Sequence, residues 1–387
     1  GSTGSTTPGR GPAGPTSSST STTTRAGPRC ATPAPSCAWP PGGACRRQRG
    51  RDGPRPRASV PAIDLIDVAV AAGPLVVAAL GLSLVDRLVG DAAAGALRWA
   101  RRLQPAGALA ALGSLVVAEG ATAGALAGVW AAVCLCAAVA GARVASRRWR
   151  HALALPGLGA LTLAAGLGYL AVGGAWLVVS RLDLHPFGLS TDLVRLTVVH
   201  FHFAAFGLPV LGAAALAAVD WLASRLALVS GCTTSVAGPP LVAAGFALDS
   251  SLLLVLGALV VTYAAWAVAF GTFLLATSTS ALDLDTPGRR GGLPPGPVAP
   301  PRRPGRARAV GKALLVGSAL SPIIPMLLAV EWAVARGTGL PSLSLHAMAS
   351  THGVLNGVGF VVAGMVGWLL VGVPLQRPAA PAVTGTG

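Results

Sequence analysis

The chain has 387 residues, 53% of them hydrophobic and only 11% charged, with a formal net charge of +16. Soluble domains carry about 25% charged residues, so this composition excludes an ordinary soluble enzyme and points to a polytopic membrane protein. The positive residues lie in short blocks between apolar runs and form no single basic face, which excludes nucleic acid and leaves the lipid bilayer as the expected partner.

In chain order, residues 1–60 are rich in Ser, Thr, Gly, Pro and Arg and have no apolar period, so they read as a disordered tail. No apolar h-region precedes residue 61, so this is not a secretory signal peptide. The first methionine is Met326, which makes 1–60 an expected processed or truncated leader. Lys312 is the only lysine, and the dominance of Ala, Gly, Pro and Arg suggests a high-GC bacterial genome. The transmembrane helical domain is expected over 61–376, followed by a disordered tail at 377–387.

A membrane-spanning helix needs about 20 apolar residues. The apolar runs predict an all-α, polytopic transmembrane helix bundle of about nine spans: 63–85, 105–118, 121–142, 153–180, 194–219, 236–248, 251–277, 311–330 and 345–373. The run 105–142 would be about 57 Å long as one helix, nearly twice the hydrocarbon thickness, so it should fold back at Glu119-Gly120. The run 236–277 should break at Asp249-Ser250-Ser251. The first member of each pair is short, so tilted or interfacial helices are alternatives there. Pro322 and Pro325 should kink the eighth span. Residues 282–309 are rich in Pro, Gly and Arg and read as a flexible cytoplasmic loop. Arginines concentrate in alternate loops, among them Arg98, Arg101, Arg102, Arg143, Arg147, Arg148 and Arg225. The positive-inside tendency then sets the start of the first span outside, with the C-terminus cytoplasmic in the cell membrane.

Six cysteines form no CxxC pair, so a structural zinc site is not expected. Cys134 and Cys136 sit in an apolar run, and Cys232 is expected in a loop. There is no P-loop, Rossmann glycine fingerprint or GxSxG elbow.

The chemistry-bearing residues are histidines. His200 and His202 stand near the start of the fifth span, and His346 and His352 near the start of the ninth, at similar depth below the outer face. Ionisable groups inside a membrane are costly and usually face the bundle interior or a cavity. His200 and His202 are about 200° apart around a helix, so only one of them can face the ninth span, while His352 and Asn356 share a face. A candidate polar site therefore pairs His200 or His202 with His352 and Asn356, with Thr197 and Glu331 as further members. The same four histidines are the candidate metal ligands. No cofactor is firmly implied; haem or a divalent metal are the options. The His-Phe-His tripeptide resembles that of one helix in haem-copper oxidases. The plain alternative is that these histidines and Asn356 only bridge helices. Gly353 and Gly357 form a close-packing GxxxG pair.

Two motifs carry a family resemblance. The run 169–215 contains a His-Phe-His-aromatic sequence followed by a small-residue-Phe-x-Leu-Pro segment. Residues His352 to Phe360 read His-Gly-x-x-Asn-x-x-Gly-Phe. Together they resemble the YndJ-like family of bacterial membrane proteins, over roughly residues 61–375. The family usually has Tyr and Gly after the histidines, where this chain has Phe203, Ala204 and Ala205. Members are sometimes labelled transporters, and the resemblance implies importance for the motif positions without naming a substrate. The sequence thus supports a transporter or permease for an unknown small molecule, with a histidine-lined site near the outer leaflet. The alternatives are a membrane-embedded enzyme or haem- or metal-binding protein using the same histidines, and a structural or sensory scaffold.

Overall fold

A computed structural model describes residues 64–89, 94–148, 155–219, 222–278 and 305–372. The tails 1–60 and 377–387 and the stretch 282–304 lie outside the described residues; residues 305–309 open a helix.

The described residues form nine long helices and no strand: α1 Leu65–Val89, α2 Ala94–Val116, α3 Ala121–Arg148, α4 Leu155–Arg181, α5 Thr191–Ala218, α6 Leu222–Ala247, α7 Ser251–Thr277, α8 Gly305–Thr338 and α9 Leu345–Val371. Eight are long and apolar enough to cross a membrane, α2 being the exception. The chain is an integral membrane protein with an all-helical fold. In a bilayer only helices and closed barrels satisfy every backbone group internally, and the apolar runs here are helix-length.

The turns fall where the polar residues stand. Gly120, at φ 135, lets α2 reverse into α3. Arg181 clamps that turn from the end of α4. Its guanidinium donates to Glu119 at 3.1 Å and to the Val117 carbonyl at 2.9 Å, and its own carbonyl accepts from the Gly120 N–H. Asp249 at φ 46 separates α6 from α7, and the Ser250 hydroxyl caps α7 by accepting from the Leu253 N–H. Asp64 and Ser344 cap α1 and α9 in the same way.

Two sequence readings are corrected. The short spans 105–118 and 236–248 are parts of full-length α2 and α6, which run through Pro105 and through Pro239-Pro240. Arg98, Arg101, Arg102, Arg143, Arg147, Arg148 and Arg225 belong to helices and not to loops, and Cys232 is buried inside α6. Long guanidinium stems let a helix continue past the apolar zone while the charge reaches the interface.

Helix α5 is the most enclosed span, with 78% of its apolar window buried. Every residue from Leu208 to Leu216 is buried, among small side chains of its neighbours. Helices α2, α3 and α4 pack as successive antiparallel neighbours, α6 pairs with α7, and α8 lies between α7 and α9.

Four helices leave regular α geometry. Helix α1 has a π-helical stretch at Gly73–Val77, α5 at Phe201–Gly207, and α9 at Ala349–Gly353 and Leu355–Val362. Helix α8 breaks between Leu320 and Ile323, as its two prolines predict. The irregular stretches of α1, α5 and α9 touch one another, and the segments of α8 on either side of its break touch those of α9.

Candidate functional site

His202 and His352 lie in the irregular stretches, and His200 ends the regular turn just before that of α5. In α5, His202 is fully buried and points toward α3. Its Nδ1 lies 2.8 Å from the Val198 carbonyl, which can only accept, so Nδ1 carries the proton. Nε2 then accepts the indole N–H of Trp130 at 3.0 Å, and the two rings stack 5.9 Å apart. Glycines press on this imidazole from two sides. A Cβ added at Gly73 of α1 or Gly173 of α4 would stand 2.9 or 2.8 Å from ring atoms of His202. Both ring nitrogens are committed, and no room remains for a haem or metal at His202.

His200 points the other way and meets α9. Its ring centre is 6.5 Å from that of His352, with the planes 26° apart. The Nδ1–H of His200 donates to the Leu196 carbonyl at 2.7 Å, and that of His352 donates to the Pro325 carbonyl of α8 at 2.7 Å. These backbone bonds fix both tautomers and leave each Nε2 as a lone pair. His200 is exposed at the bundle surface and His352 is half-buried.

Asn356, one turn below His352, places one end of its amide 3.2 Å from His352 Nδ1 and 3.4 Å from Met326 Sδ. Its Oδ1 is buried with no hydrogen-bond partner. The amide end facing His352 is Nδ2, and because His352 Nδ1 carries the proton, two donors face each other there; turning the amide over lets Oδ1 accept from Nδ1–H instead.

The break in α8 supplies the backbone of the site. Pro322 and Pro325 have no N–H, so the helix ladder is interrupted at the carbonyls four residues earlier; around the break, side chains of other helices also donate to α8 carbonyls. Trp266 Nε1 donates to Pro322 at 3.2 Å, His352 to Pro325, and Thr262 Oγ1 to Met326 at 3.4 Å. In return, Ser318 Oγ donates to the Phe360 carbonyl and Ser321 Oγ to that of Leu355, both at 2.7 Å. Both carbonyls lie in the π-helical stretch of α9.

The remaining sequence candidates stand apart. Thr197 bonds to the Leu193 carbonyl of its own helix. Glu331 is exposed on α8, and His346 sits 3.5 Å from Asp64 at the helix ends. Among the described residues, no three of His, Cys, Asp and Glu converge as a metal set. A Cβ added at Gly357 would stand 3.2 Å from the Phe203 ring of α5, whereas one at Gly353 would meet only the Met348 carbonyl of its own helix, at 4.0 Å. The GxxxG pair therefore provides one close approach, not two.

Trp130, Ser318, Ser321 and Met326 escaped the sequence reading. Trp130 carried a usable signal, since an indole N–H deep in an Ala-rich span must find an acceptor. The two serines carried none, because a membrane serine most often bonds to its own helix.

A family model described as YndJ-like protein matches residues 68–283 and 301–360. No curated protein and no solved structure matches the chain.

Proposed function

The chain belongs to the YndJ-like family, and on that footing we propose that it is a transporter or permease-like protein whose substrate meets His200, His352 and Asn356. One observation carries the reading: the π-helical stretches of α1, α5 and α9 pack against one another beside this histidine pair, and the proline-broken α8 accepts a hydrogen bond from His352. Irregular backbone at membrane depth is tolerated where it lines a cavity or is buried in protein, and discontinuous helices build the substrate sites of many secondary transporters. π-Bulges also concentrate at functional sites.

The tautomers narrow the chemistry. Two Nε2 lone pairs accept, so the substrate is a small molecule or cation that offers N–H or O–H donors or positive charge. The same lone pairs suit a divalent metal through imidazole ligation, which is the rival reading; metal analysis of purified protein separates the two.

Alternating access tests the transporter. Cysteines placed at 200 and 356 in a cysteine-free background should react with a membrane-impermeant thiol reagent from right-side-out vesicles. They should also react from inside-out vesicles. Labelling confined to one side under every solute condition would overturn the proposal.

A further inference from the structure

The end of the bundle opposite the histidine pair carries a separate cavity of about 430 Å³ between α1 and α2. Its wall includes Ser83 of α1 and Arg98, Arg101, Arg102 and Gln104 of α2. We propose that this cavity is a binding site for the phosphate headgroup of an anionic phospholipid.

Four observations support the assignment. First, the lining is cationic. Three guanidinium groups within five positions of one helix face a space in the size range of ligand sites, about 300–1,000 Å³. Arg101 is paired with the Asp86 carboxylate. Guanidinium forks match phosphate oxygens in geometry as well as charge.

Second, the helix supplies a place for the rest of a lipid. Below the arginines, α2 exposes Leu103, Leu109, Leu112 and Val116, the last at 82%. Acyl chains can lie along these side chains while the headgroup occupies the cavity.

Third, Trp99 marks the depth. It is 58% exposed, and the guanidinium carbon of Arg102 stands 5.9 Å from its ring centre. Exposed Trp beside a cation is the usual composition of the membrane–water interface, where headgroups reside.

Fourth, α2 is the long helix that falls short of the apolarity needed to span on its own. Its deficit lies in the first turns, where the three arginines stand. A bound phosphate would neutralise charge there and let α2 sit fully in the bilayer.

A hydrogen bond between the two helices closes the floor of the cavity. Gln104 is only 8% exposed, and its Nε2 donates to the Pro74 carbonyl at 2.9 Å. Pro74 has no N–H and lies in the π-helical stretch of α1, so this bond ties α2 to α1 beneath the arginines.

The test is native mass spectrometry and thermal unfolding of the full-length protein from detergent. Four additions are compared: phosphatidylglycerol, phosphatidylcholine, inorganic phosphate, and none. Phosphatidylglycerol should be retained as a discrete adduct and raise the unfolding temperature, whereas phosphatidylcholine should do neither. The combined Arg98→Gln, Arg101→Gln and Arg102→Gln variant should lose the adduct, with affinity falling about fivefold for each arginine removed. A variant with Arg225→Gln and Lys312→Gln, which removes charge elsewhere, should keep it. Equal retention by wild type and the triple variant would overturn the site. Equal protection by inorganic phosphate would overturn the lipid assignment. If the triple variant fails to accumulate, the three single variants, all at exposed positions, carry the same comparison.

Discussion

At the residue scale, two histidines two positions apart have opposite fates. His202 is closed in by Trp130, Gly73 and Gly173, while His200 reaches the surface beside His352. The difference follows from helix geometry, since positions i and i+2 point to nearly opposite sides. It predicts opposite mutational signatures. Trp130→Phe should destabilise the protein by about 1–3 kcal/mol, because the buried Nε2 of His202 loses its donor. His202→Ala should cost more, about 2–4 kcal/mol, by adding a cavity between the glycines and orphaning the indole N–H. His200→Ala should change stability by no more than about 0.5 kcal/mol, as expected of an exposed side chain bonded only to its own helix. Reversible unfolding in mixed micelles measures all three. A His200 variant as unstable as the His202 variant would show that the assignment of roles is wrong.

At the scale of elements, α8 and α9 compensate each other's defects. Prolines remove N–H groups from α8, and π-helical winding displaces carbonyls in α9. Ser318 and Ser321 bridge the two. Such hydrogen bonds in membrane proteins average about 0.6 kcal/mol and reach about 1.7. Ser318→Ala and Ser321→Ala should therefore each cost about 0.5–1.5 kcal/mol. Because both bonds hold the stretch that carries Asn356, the pair of substitutions should also loosen the site. Faster amide exchange over Leu355–Val362 in the double variant is the expected signature. Unchanged exchange there would show that the π-helical stretch stands without its α8 partners. The SPIIP segment announced the break, but not which carbonyls around it would take side chains from other helices.

At the scale of the whole molecule, the arginine distribution sets the expected direction. Arg87, Arg143, Arg147 and Arg225 gather at the bundle end opposite Arg181, Arg195 and Arg336. That bias orients membrane proteins with the basic end in the cytoplasm. A cysteine at His185, in the turn between α4 and α5, should be labelled from outside intact cells, and one at Ser146 only after permeabilisation. Both positions are exposed in the structure, so the reverse pattern would invert the orientation. The polar pair would then lie toward the cytoplasm.

The sequence by itself determined the fold class, the count and approximate place of the spans, both reversals at Glu119-Gly120 and Asp249-Ser250, and the break at Pro322. These follow from composition, run length and backbone chemistry, which act locally. It also narrowed the histidines to an alternative, one of His200 and His202 toward α9 and the other away. The tertiary structure decided which. The choice depends on where α3 and α9 pack around α5, and helical periodicity gives the angle between two side chains but not the rotation of the helix. Span ends were misread for α2 and α6 because proline and arginine were treated as boundaries, whereas a packed helix carries proline through its interior and lets arginine reach the interface. The meeting of Asn356 with Met326 and the arginine cavity were likewise beyond the sequence, since both are made by contacts between separate elements of the chain.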